Sequence, residues 1–427
     1  MQLPISPLKT RVLAELASRP VVVTAPTGSG KSTEVPRWCQ HFGRVLVVEP
    51  RRMACRGLGQ RVAQLEKTNL GEGVGYVVRD DRRATDRTRI VFATPGVVLR
   101  WLQNDGLAHF DVVLLDEFHE RSLELDLLLA LLMPLTNRLH LGALSATLEA
   151  DRLATHLGGV HIHGEGRTFP VDIHYLAGST VLPDARGLES RLQGALAMCS
   201  DADGDILVFL PGKGEIRRMA QHLGDRHGQI VQLHGGLTLK EQARVFVPSP
   251  DRRVILSTNV AETSVTLPSI GVVIDSGLVR RTRYHQGRAS LTLTSIAADS
   301  ADQRAGRAGR VKAGKCFRLW AERAPLAPRT PPEIHRESLV PLVLAASACG
   351  ASVHELPFLD APRPYAVIDA EQVLHDLGAT DQSGLTERGR RLFQLPLDAP
   401  LGRLLVQAEH DGTLGPIIDL VATLQVS

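Results

Sequence analysis

The stretch Val21-Val-Val-Thr-Ala-Pro-Thr-Gly-Ser-Gly-Lys-Ser32 decides the fold. A short apolar run leads into a glycine-rich loop, and a segment with a helical pattern follows. This order is the one that a phosphate-binding loop requires, because glycines let backbone N–H groups turn toward a phosphate and the helix N-terminus adds its positive dipole end. The alternative is a flexible loop that binds nothing. The predicted nucleotide-binding residues of the loop are Thr27, Gly28, Ser29, Gly30, Lys31, Ser32 and Thr33.

On either side of this loop, short β-branched runs alternate with longer helical patterns through the first 320 residues. This rhythm predicts parallel sheets covered by helices on both faces, so the fold class is α/β. The predicted strands of a first series are residues 21–25, 45–49, 90–94, 112–116 and 141–146. Those of a second series are residues 206–210, 229–233, 254–257 and 272–275. Two series predict two similar lobes.

The glycine- and proline-marked stretch 164–170 suits a link between the lobes, and four prolines within 324–332 exclude helix and central strand there. We therefore divide the chain into residues 1–170, 171–325, 326–397 and 398–427. Beyond the prolines the pattern is helical over 334–349, 365–377, 386–395, 401–410 and 415–426. A turn or wing is expected at 379–385.

Composition and charge exclude several classes of protein. Lys and Arg number 49 against 46 Asp and Glu, so the net charge of +3 does not by itself indicate a polyanionic partner. The five cysteines are odd in number and never form a C-x-x-C pair, which indicates neither a disulfide framework nor a zinc site and fits a reducing cytoplasm. Every apolar run is too short to span a bilayer, so we expect a soluble protein without membrane contact.

A pair of carboxylates follows the predicted strand 112–116. In a doubly wound sheet this strand end lies beside the phosphate-binding loop. Transfer of a phosphoryl group to water needs a metal ion on the phosphates and a group that deprotonates the water, which suits Asp116 and Glu117 respectively. Ser32 is expected to share the Mg²⁺ with Asp116. A solvated acidic turn is the alternative.

Together, Asp116-Glu-Phe-His119, Ser145-Ala-Thr147, Gln303-Arg-Ala-Gly-Arg-Ala-Gly-Arg310 and the phosphate-binding loop resemble, in order and spacing, the motifs of DEAH-box helicases of superfamily 2. Phe118 replaces the usual Ala, as in the bacterial HrpB-type subgroup. The resemblance implies two tandem RecA-like domains with parallel sheets, a small winged-helix domain and a partial helical, ratchet-like segment, with ATP and Mg²⁺ as cofactors. It covers nearly the whole chain, but most of the family's later domains are missing.

The resemblance also implies roles for individual residues. The catalytic set is Lys31, Asp116, Glu117, Gln303, Arg307 and Arg310, and the residues that couple hydrolysis to lobe movement are His119, Ser145 and Thr147. Arg307 and Arg310 are three apart and would share a face if they lay on a helix, from which they could reach one anion. Arg121 is similar to the arginine that stacks on the base. Leu278 stands where an aromatic partner is often found, so weak selection among nucleoside triphosphates is expected.

Family positions that line the nucleic-acid channel are matched by Arg51, Arg52, Thr94, Gly212, Lys213, Thr258 and Asn259. Such groups bind phosphates without reading bases, so binding should be independent of sequence and sensitive to salt. A basic hairpin is expected over 278–296. The expected activity is movement 3′ to 5′ on single-stranded RNA or a tailed duplex. The alternatives are a DNA track, an RNA-binding switch that remodels complexes without unwinding, and a metabolic P-loop enzyme.

Overall fold

The computed structural model describes residues 3–26, 28–146, 149–165, 169–177, 180–199, 203–224, 228–245, 247, 249–262, 267, 269–285, 288–395 and 397–426. It contains two parallel sheets, one in each lobe, and a mainly helical region that follows them. Within the described residues, no helix combines the length and the apolar composition that a bilayer span requires.

The first lobe is built on an eight-stranded sheet. Its strands are β1 (Val21–Thr24), β2 (Val45–Val48), β3 (Val74–Val78), β4 (Asp81–Arg83), β5 (Ile90–Ala93), β6 (Val112–Leu115), β7 (His140–Ser145) and β8 (Val160–His163). The order across the sheet is β4-β3-β5-β2-β6-β7-β1-β8, and β4 alone pairs antiparallel. Strands β1, β2, β5 and β6 are buried along their whole length, as expected where helices cover both faces.

Six helices cover this sheet: α1 (Lys9–Leu16), α2 (Lys31–Cys39), α3 (Arg52–Glu66), α4 (Pro95–Asn104), α5 (Leu123–Leu132) and α6 (Ala150–His156). Short 3₁₀ helices lie at Ser6–Leu8, Phe118–Glu120 and Met133–Leu135. Helix α5 begins where the Ser122 hydroxyl accepts a hydrogen bond from the Leu125 N–H, a standard N-cap.

The second lobe is built on a six-stranded sheet. Its strands are β9 (Val171–Tyr175), β10 (Asp205–Phe209), β11 (Gln229–Leu233), β12 (Arg253–Ser257), β13 (Ile270–Asp275) and β16 (Gly314–Arg318). All of them pair in parallel, in the order β11-β12-β10-β13-β16-β9. The expected hairpin is confirmed as β14 (Leu278–His285) and β15 (Arg288–Ser295). The helices are α7 (Leu188–Ala197), α8 (Lys213–Leu223), α9 (Leu239–Val245) and α10 (Ala298–Ala305), with a 3₁₀ turn at Asn259–Ala261.

After a proline-rich stretch come a 3₁₀ turn (Glu333–His335) and five helices: α11 (Val340–Ala348), α12 (Pro364–Asp376), α13 (Glu387–Gln394), α14 (Ala399–His410) and α15 (Leu414–Val426). The expected wing is the small hairpin β17 (Thr380–Asp381) and β18 (Gly384–Leu385). The single helix expected over 334–349 is wrong at its start. Pro341 stands in the first turn of α11, where the N–H that proline lacks would have no partner within the helix. The helix therefore begins at Val340.

The helical region packs on the first lobe rather than on the second. Leu128 of α5, Val343 of α11 and Leu392 of α13 belong to one continuous cluster of buried apolar side chains. Polar contacts reinforce this packing, since the Glu333 carboxylate accepts a hydrogen bond from the Leu123 N–H at 3.0 Å. The second lobe has cores of its own on the two faces of its sheet. The first lobe and the helical region therefore form one body, and the second lobe forms another.

Candidate active site and nucleic-acid channel

The phosphate-binding loop connects β1 to α2 at the carboxyl end of the first sheet. Gly28 and Gly30 have φ values of +87° and +99°, a left-handed conformation that side chains resist. A Cβ on Gly30 would also lie 2.9 Å from Leu3 Cδ1. The buried Lys31 ammonium donates a hydrogen bond to the Ala25 carbonyl at 2.7 Å, across the mouth of the loop. The loop therefore has the backbone conformation that the sequence predicts for a phosphate-binding loop.

Three further predicted loop residues show how the loop is held. The Ser29 hydroxyl is buried and has no hydrogen-bond partner among the described residues, so it can accept a ligand contact. The Thr33 hydroxyl donates to the Gly30 carbonyl at 3.1 Å and stabilises the first turn of α2. Thr27 lies outside the described residues.

The residues expected to hold a metal ion are adjacent. Asp116 follows β6 and is fully buried, and its Oδ1 accepts a hydrogen bond from the Glu117 N–H at 2.9 Å, while Oδ2 has no hydrogen-bond partner among the described residues. Burial and the neighbouring Glu117 raise the pKa of Asp116 to about 7, although the Ser32 hydroxyl and Lys31 act to lower it. A divalent cation would favour the ionised carboxylate, so Ser32 and Asp116 fit Mg²⁺.

Glu117 has a strained backbone and several cationic neighbours. Its φ of 50° is left-handed, a conformation that typically costs a non-glycine residue about 1–3 kcal/mol and that clusters at functional sites. Its Oε2 lies 3.3 Å from His119 Nδ1. Burial raises the pKa of Glu117, but the charges of His119, Lys31, Arg51 and Arg307 outweigh burial and lower it. These charges therefore favour the ionised form of the carboxylate.

Arg307 and Arg310 approach Glu117 from the second lobe, but not from a helix. Helix α10 ends at Ala305, so both arginines lie in the following turn and the expected shared helical face is wrong. Glycine disfavours a helix, and Gly306 is the C-cap of α10. In the turn beyond it, a Cβ on Gly309 would lie 2.6 Å from the Phe169 carbonyl oxygen, so the chain passes tightly against that backbone.

The two arginines create a site with excess positive charge. Arg307 is 3% exposed, and its Nε donates to the Glu262 carbonyl at 3.0 Å. Burial, Arg310 and Arg51 lower the pKa of Arg307 well below its usual range. Burial also lowers the pKa of Arg310 to about 10, and Glu117 opposes this shift. An anion such as a terminal phosphate would relieve both costs.

Four of the predicted residues line a cavity of about 550 Å³ at the junction of both lobes and the proline-rich stretch. They are His119, Arg121, Ser145 and Gln303, which come from residues 116–121 (the acidic box), the end of β7 and helix α10. Their meeting is consistent with coupling between the lobes. Thr147, the other expected coupling residue, lies outside the described residues.

Arg121 and Leu278, expected on the two faces of the base, lie in different surroundings. Arg121 lines the same cavity, and its guanidinium contacts Asp126 at 2.7 Å and Asp360 at 2.6 Å. Leu278 is buried at the start of β14 and is not among the described residues that line this cavity. In this arrangement Arg121 mainly ties the acidic box to the helical region.

The expected nucleic-acid residues of the first lobe lie along the same sheet edge as the nucleotide site, after the neighbouring strands β2 and β5. Thr94 follows β5 and caps α4, and it lines a cleft of about 380 Å³ with Arg52. Arg79 and Arg100, which the sequence reasoning missed, line it too. Burial and the charges of Arg52 and Arg100 lower the pKa of Arg79, and Asp80 opposes this shift. Arg79 follows the unpredicted strand β3, which is why it escaped notice.

In the second lobe, Gly212 and Lys213 follow β10, whereas Thr258 and Asn259 follow β12, the neighbouring strand. A Cβ on Gly212 would lie 3.0 Å from Arg280 Cδ, so the backbone and this hairpin arginine are close together. The Thr258 hydroxyl accepts from the Val260 N–H at 3.5 Å. These four residues share the carboxyl-end edge of their sheet, as Arg52 and Thr94 do in the first lobe.

Arg304 is a further residue that the sequence reasoning missed. It is 1% exposed and bridges two carboxylates of its own lobe, Glu262 at 2.8 Å and Asp275 at 2.9 Å. Because α10 is fixed by this arginine to the end of β13, the turn that carries Arg307 has a rigid support.

Comparison with known proteins agrees with this geometry. The family model described as "DEAD/DEAH box helicase" matches residues 6–155, and "Helicase conserved C-terminal domain" matches residues 189–312. ATP-dependent RNA helicases HrpA and HrpB of Escherichia coli (strain K12) are each 36% identical over 99% of this chain. Probable ATP-dependent RNA helicase DHR2 of Saccharomyces cerevisiae is 35% identical over the same share.

The chain spans 35% of HrpA, 54% of HrpB and 62% of DHR2, so it corresponds to only part of these relatives. Among solved structures, the E. coli DEAH/RHA helicase HrpB superposes with a TM-score of 0.89 and 34% identity over 99% of this chain and 56% of that one. The two matched domains, the relatives and the superposition show that the chain belongs to the DEAD/DEAH box helicases.

Proposed function

We propose that this chain is an ATP-dependent RNA helicase that couples hydrolysis to 3′-to-5′ movement along single-stranded RNA and to duplex unwinding. One observation carries the proposal: the positive charges of Lys31 from its own lobe and of Arg307 from the other lobe both interact with the Glu117 carboxylate. A carboxylate held ionised between cations of two bodies fits a reaction that links water activation to lobe movement.

The hydrolytic step follows from these positions. The ionised Glu117 takes a proton from a water molecule as its oxygen attacks the γ-phosphorus, and the bond to the β-phosphate oxygen breaks. Lys31, Arg307 and Arg310 stabilise the negative charge that spreads over the transferring group. When Ser32 and Asp116 bind Mg²⁺, the ion supplies neutralisation of the β- and γ-phosphate oxygens. The proposed role of Gln303, which the family resemblance implies, is to help orient the water.

Lobe movement follows from the division into two bodies. Arg307 and Arg310 can contact the γ-phosphate only while the second lobe lies against the first, and loss of that phosphate removes their shared ligand. Because Arg52 and Thr94 lie on one body and Lys213 and Asn259 on the other, a change in lobe separation changes the spacing between two sets of nucleic-acid contacts. Repeated cycles therefore move the chain along a strand.

The proposed substrate is a single strand of nucleic acid that is bound through its phosphates. Contacts through arginine, lysine, hydroxyl and backbone N–H groups fit phosphates and do not read bases, so we propose binding that is independent of sequence. RNA is proposed as the track because HrpA, HrpB and DHR2 are named RNA helicases. All five cysteines are free thiols, which fits the proposed cytoplasmic location.

The test combines ATPase and strand-displacement assays on the purified chain. RNA should stimulate ATP hydrolysis more than DNA, and a duplex with a 3′ single-stranded tail should be separated faster than one with a 5′ tail. Lys31→Ala is the matched control and should abolish both activities. Equal rates with and without nucleic acid would overturn the proposal, and RNA-stimulated hydrolysis that leaves the duplex intact would instead indicate a remodelling switch.

A further inference from the structure

Arg51 and Arg52 are adjacent in the sequence, but their side chains serve different parts of the molecule. Arg51 is the extended N-cap residue of α3, and Arg52 begins the helix, so the two side chains diverge. Arg52 is half exposed and lines the cleft that also contains Thr94. Arg51 is not among the described residues that line the cleft, and its side chain is only 25% exposed. The two arginines therefore need separate accounts.

The Arg51 guanidinium bridges the two lobes. Its Nε lies 3.0 Å from the Glu120 carboxylate, in the acidic box of the first lobe. Its Nη1 donates a hydrogen bond to the Val260 carbonyl of the second lobe at 2.9 Å. At its base, the Arg51 N–H donates to the Glu49 carboxylate at 3.1 Å. A planar fork with several donors can make both side-chain contacts at once, which a lysine ammonium on its flexible stem does less well.

The backbone segment that accepts the hydrogen bond from Arg51 also accepts one from Arg307, the proposed catalytic arginine. Val260 lies in the 3₁₀ turn Asn259–Ala261, and two residues later the Glu262 carbonyl accepts the hydrogen bond from Arg307 Nε at 3.0 Å. Thr258 caps the same turn. Residues 258–262 thus connect the proposed nucleic-acid contacts Thr258 and Asn259, the interlobe contact to Arg51 and the support of Arg307.

We propose that Arg51 is a positioning residue at the lobe interface, which couples nucleic acid bound at residues 258–259 to the placement of Arg307 beside Glu117, and that it does not contact nucleic acid itself. This inference rests on the proposed function. When the lobes close, Arg51 fixes the backbone of the segment against the acidic box, and the turn carrying Arg307 is held through Glu262. When the lobes separate, the contact to Val260 is broken.

The test compares Arg51→Ala with Arg52→Ala, since the two positions are neighbours and lose the same charge. RNA affinity is measured by fluorescence anisotropy without nucleotide, and kcat is measured at saturating RNA. Arg51→Ala should keep its RNA affinity within about twofold and lose about tenfold in RNA-stimulated kcat, as expected for the loss of one charge-assisted hydrogen bond. Arg52→Ala should bind RNA more weakly and recover its kcat once RNA is saturating.

Arg51→Lys separates the bridge from charge alone, because it keeps the charge but loses the planar fork. Its RNA-stimulated kcat should stay well below that of the wild type, and it also provides the test if Arg51→Ala does not fold. Two results would overturn the inference: full kcat in Arg51→Lys, or an Arg51→Ala defect that saturating RNA repairs. A wild-type chain that RNA fails to stimulate would instead remove the proposed function, and with it this inference.

Discussion

The carboxyl-end edges of the two parallel sheets differ in the charge that they carry, although the sheets are built alike. The edge of the first lobe presents Asp116 and Glu117 around one lysine, whereas the second lobe presents Arg307 and Arg310. One edge brings buried carboxylates together, and the other brings buried arginines together. The difference supports the proposal that the hydrolytic site is shared between the two lobes.

Removing Arg307, the proposed catalytic arginine, should break this complementarity most severely. Arg307→Ala should lower RNA-stimulated kcat by about 10³–10⁵-fold, the usual range for an arginine that stabilises phosphoryl transfer from a second domain. ATP affinity, measured with a fluorescent analogue, should change much less, because Lys31 and the phosphate-binding loop lie in the other lobe. Losses of the same size in affinity and turnover would instead assign Arg307 a structural role.

The first lobe's half of the site is tested by Glu117→Gln, which keeps the shape of the side chain but removes the proton acceptor. We expect turnover to fall by about 10²–10⁴-fold, as is typical for the loss of a general base. Bound ATP should persist, because the loop and Lys31 are unchanged. Single-turnover kinetics would measure this, and near-normal hydrolysis would exclude Glu117 as the base.

Arg304 sharpens the comparison, because it belongs to the same motif as Arg307 but is satisfied within its own lobe. Arg304→Ala would leave Glu262 and Asp275 buried without their cation, so it should lower the free energy of unfolding by about 3–5 kcal/mol. Arg307→Ala should have a smaller effect on stability. Chemical denaturation of both variants measures this contrast, which would be contradicted if the two variants were equally stable.

The smallest expected effect concerns Arg52, a proposed nucleic-acid contact of the first lobe. Arg52→Ala should weaken RNA binding about equally for unrelated sequences and reduce the slope of log affinity against log salt by about 1, the result for loss of one phosphate contact. Titrations at several salt concentrations measure the slope. A sequence-dependent loss would show that Arg52 reads bases.

Local patterns in the sequence predicted much of this molecule. Each strand of the two predicted series exists with small shifts at its ends, because buried parallel strands are continuous apolar runs. The hairpin over 278–296 and the wing at 379–385 also follow from local signals. The missed strands are β3, β4, β8, β9 and β16. Of these, β4 (Asp81–Arg83) is charged and short, and it pairs only with β3 at the sheet edge.

The parts that could not be predicted depend on contacts between distant residues. The helix expected to carry Arg307 ends at Ala305, and the turn beyond it packs Gly309 against the backbone of Phe169, a contact that no local pattern reveals. Arg121 contacts Asp360, 239 positions away. Arg51 and Arg52 look equivalent in sequence and separate only when the second lobe places Val260 beside one of them.

A crystal structure with Mg²⁺, ADP and aluminium fluoride, a mimic of the transferring phosphoryl group, tests the central claim most directly. The two-lobed site predicts that Lys31 and Arg307 both lie within hydrogen-bond distance of the fluoride ligands, and that Glu117 contacts the attacking water. A complex in which the fluoride is bound by residues of the first lobe alone, with Arg307 directed elsewhere, would contradict it.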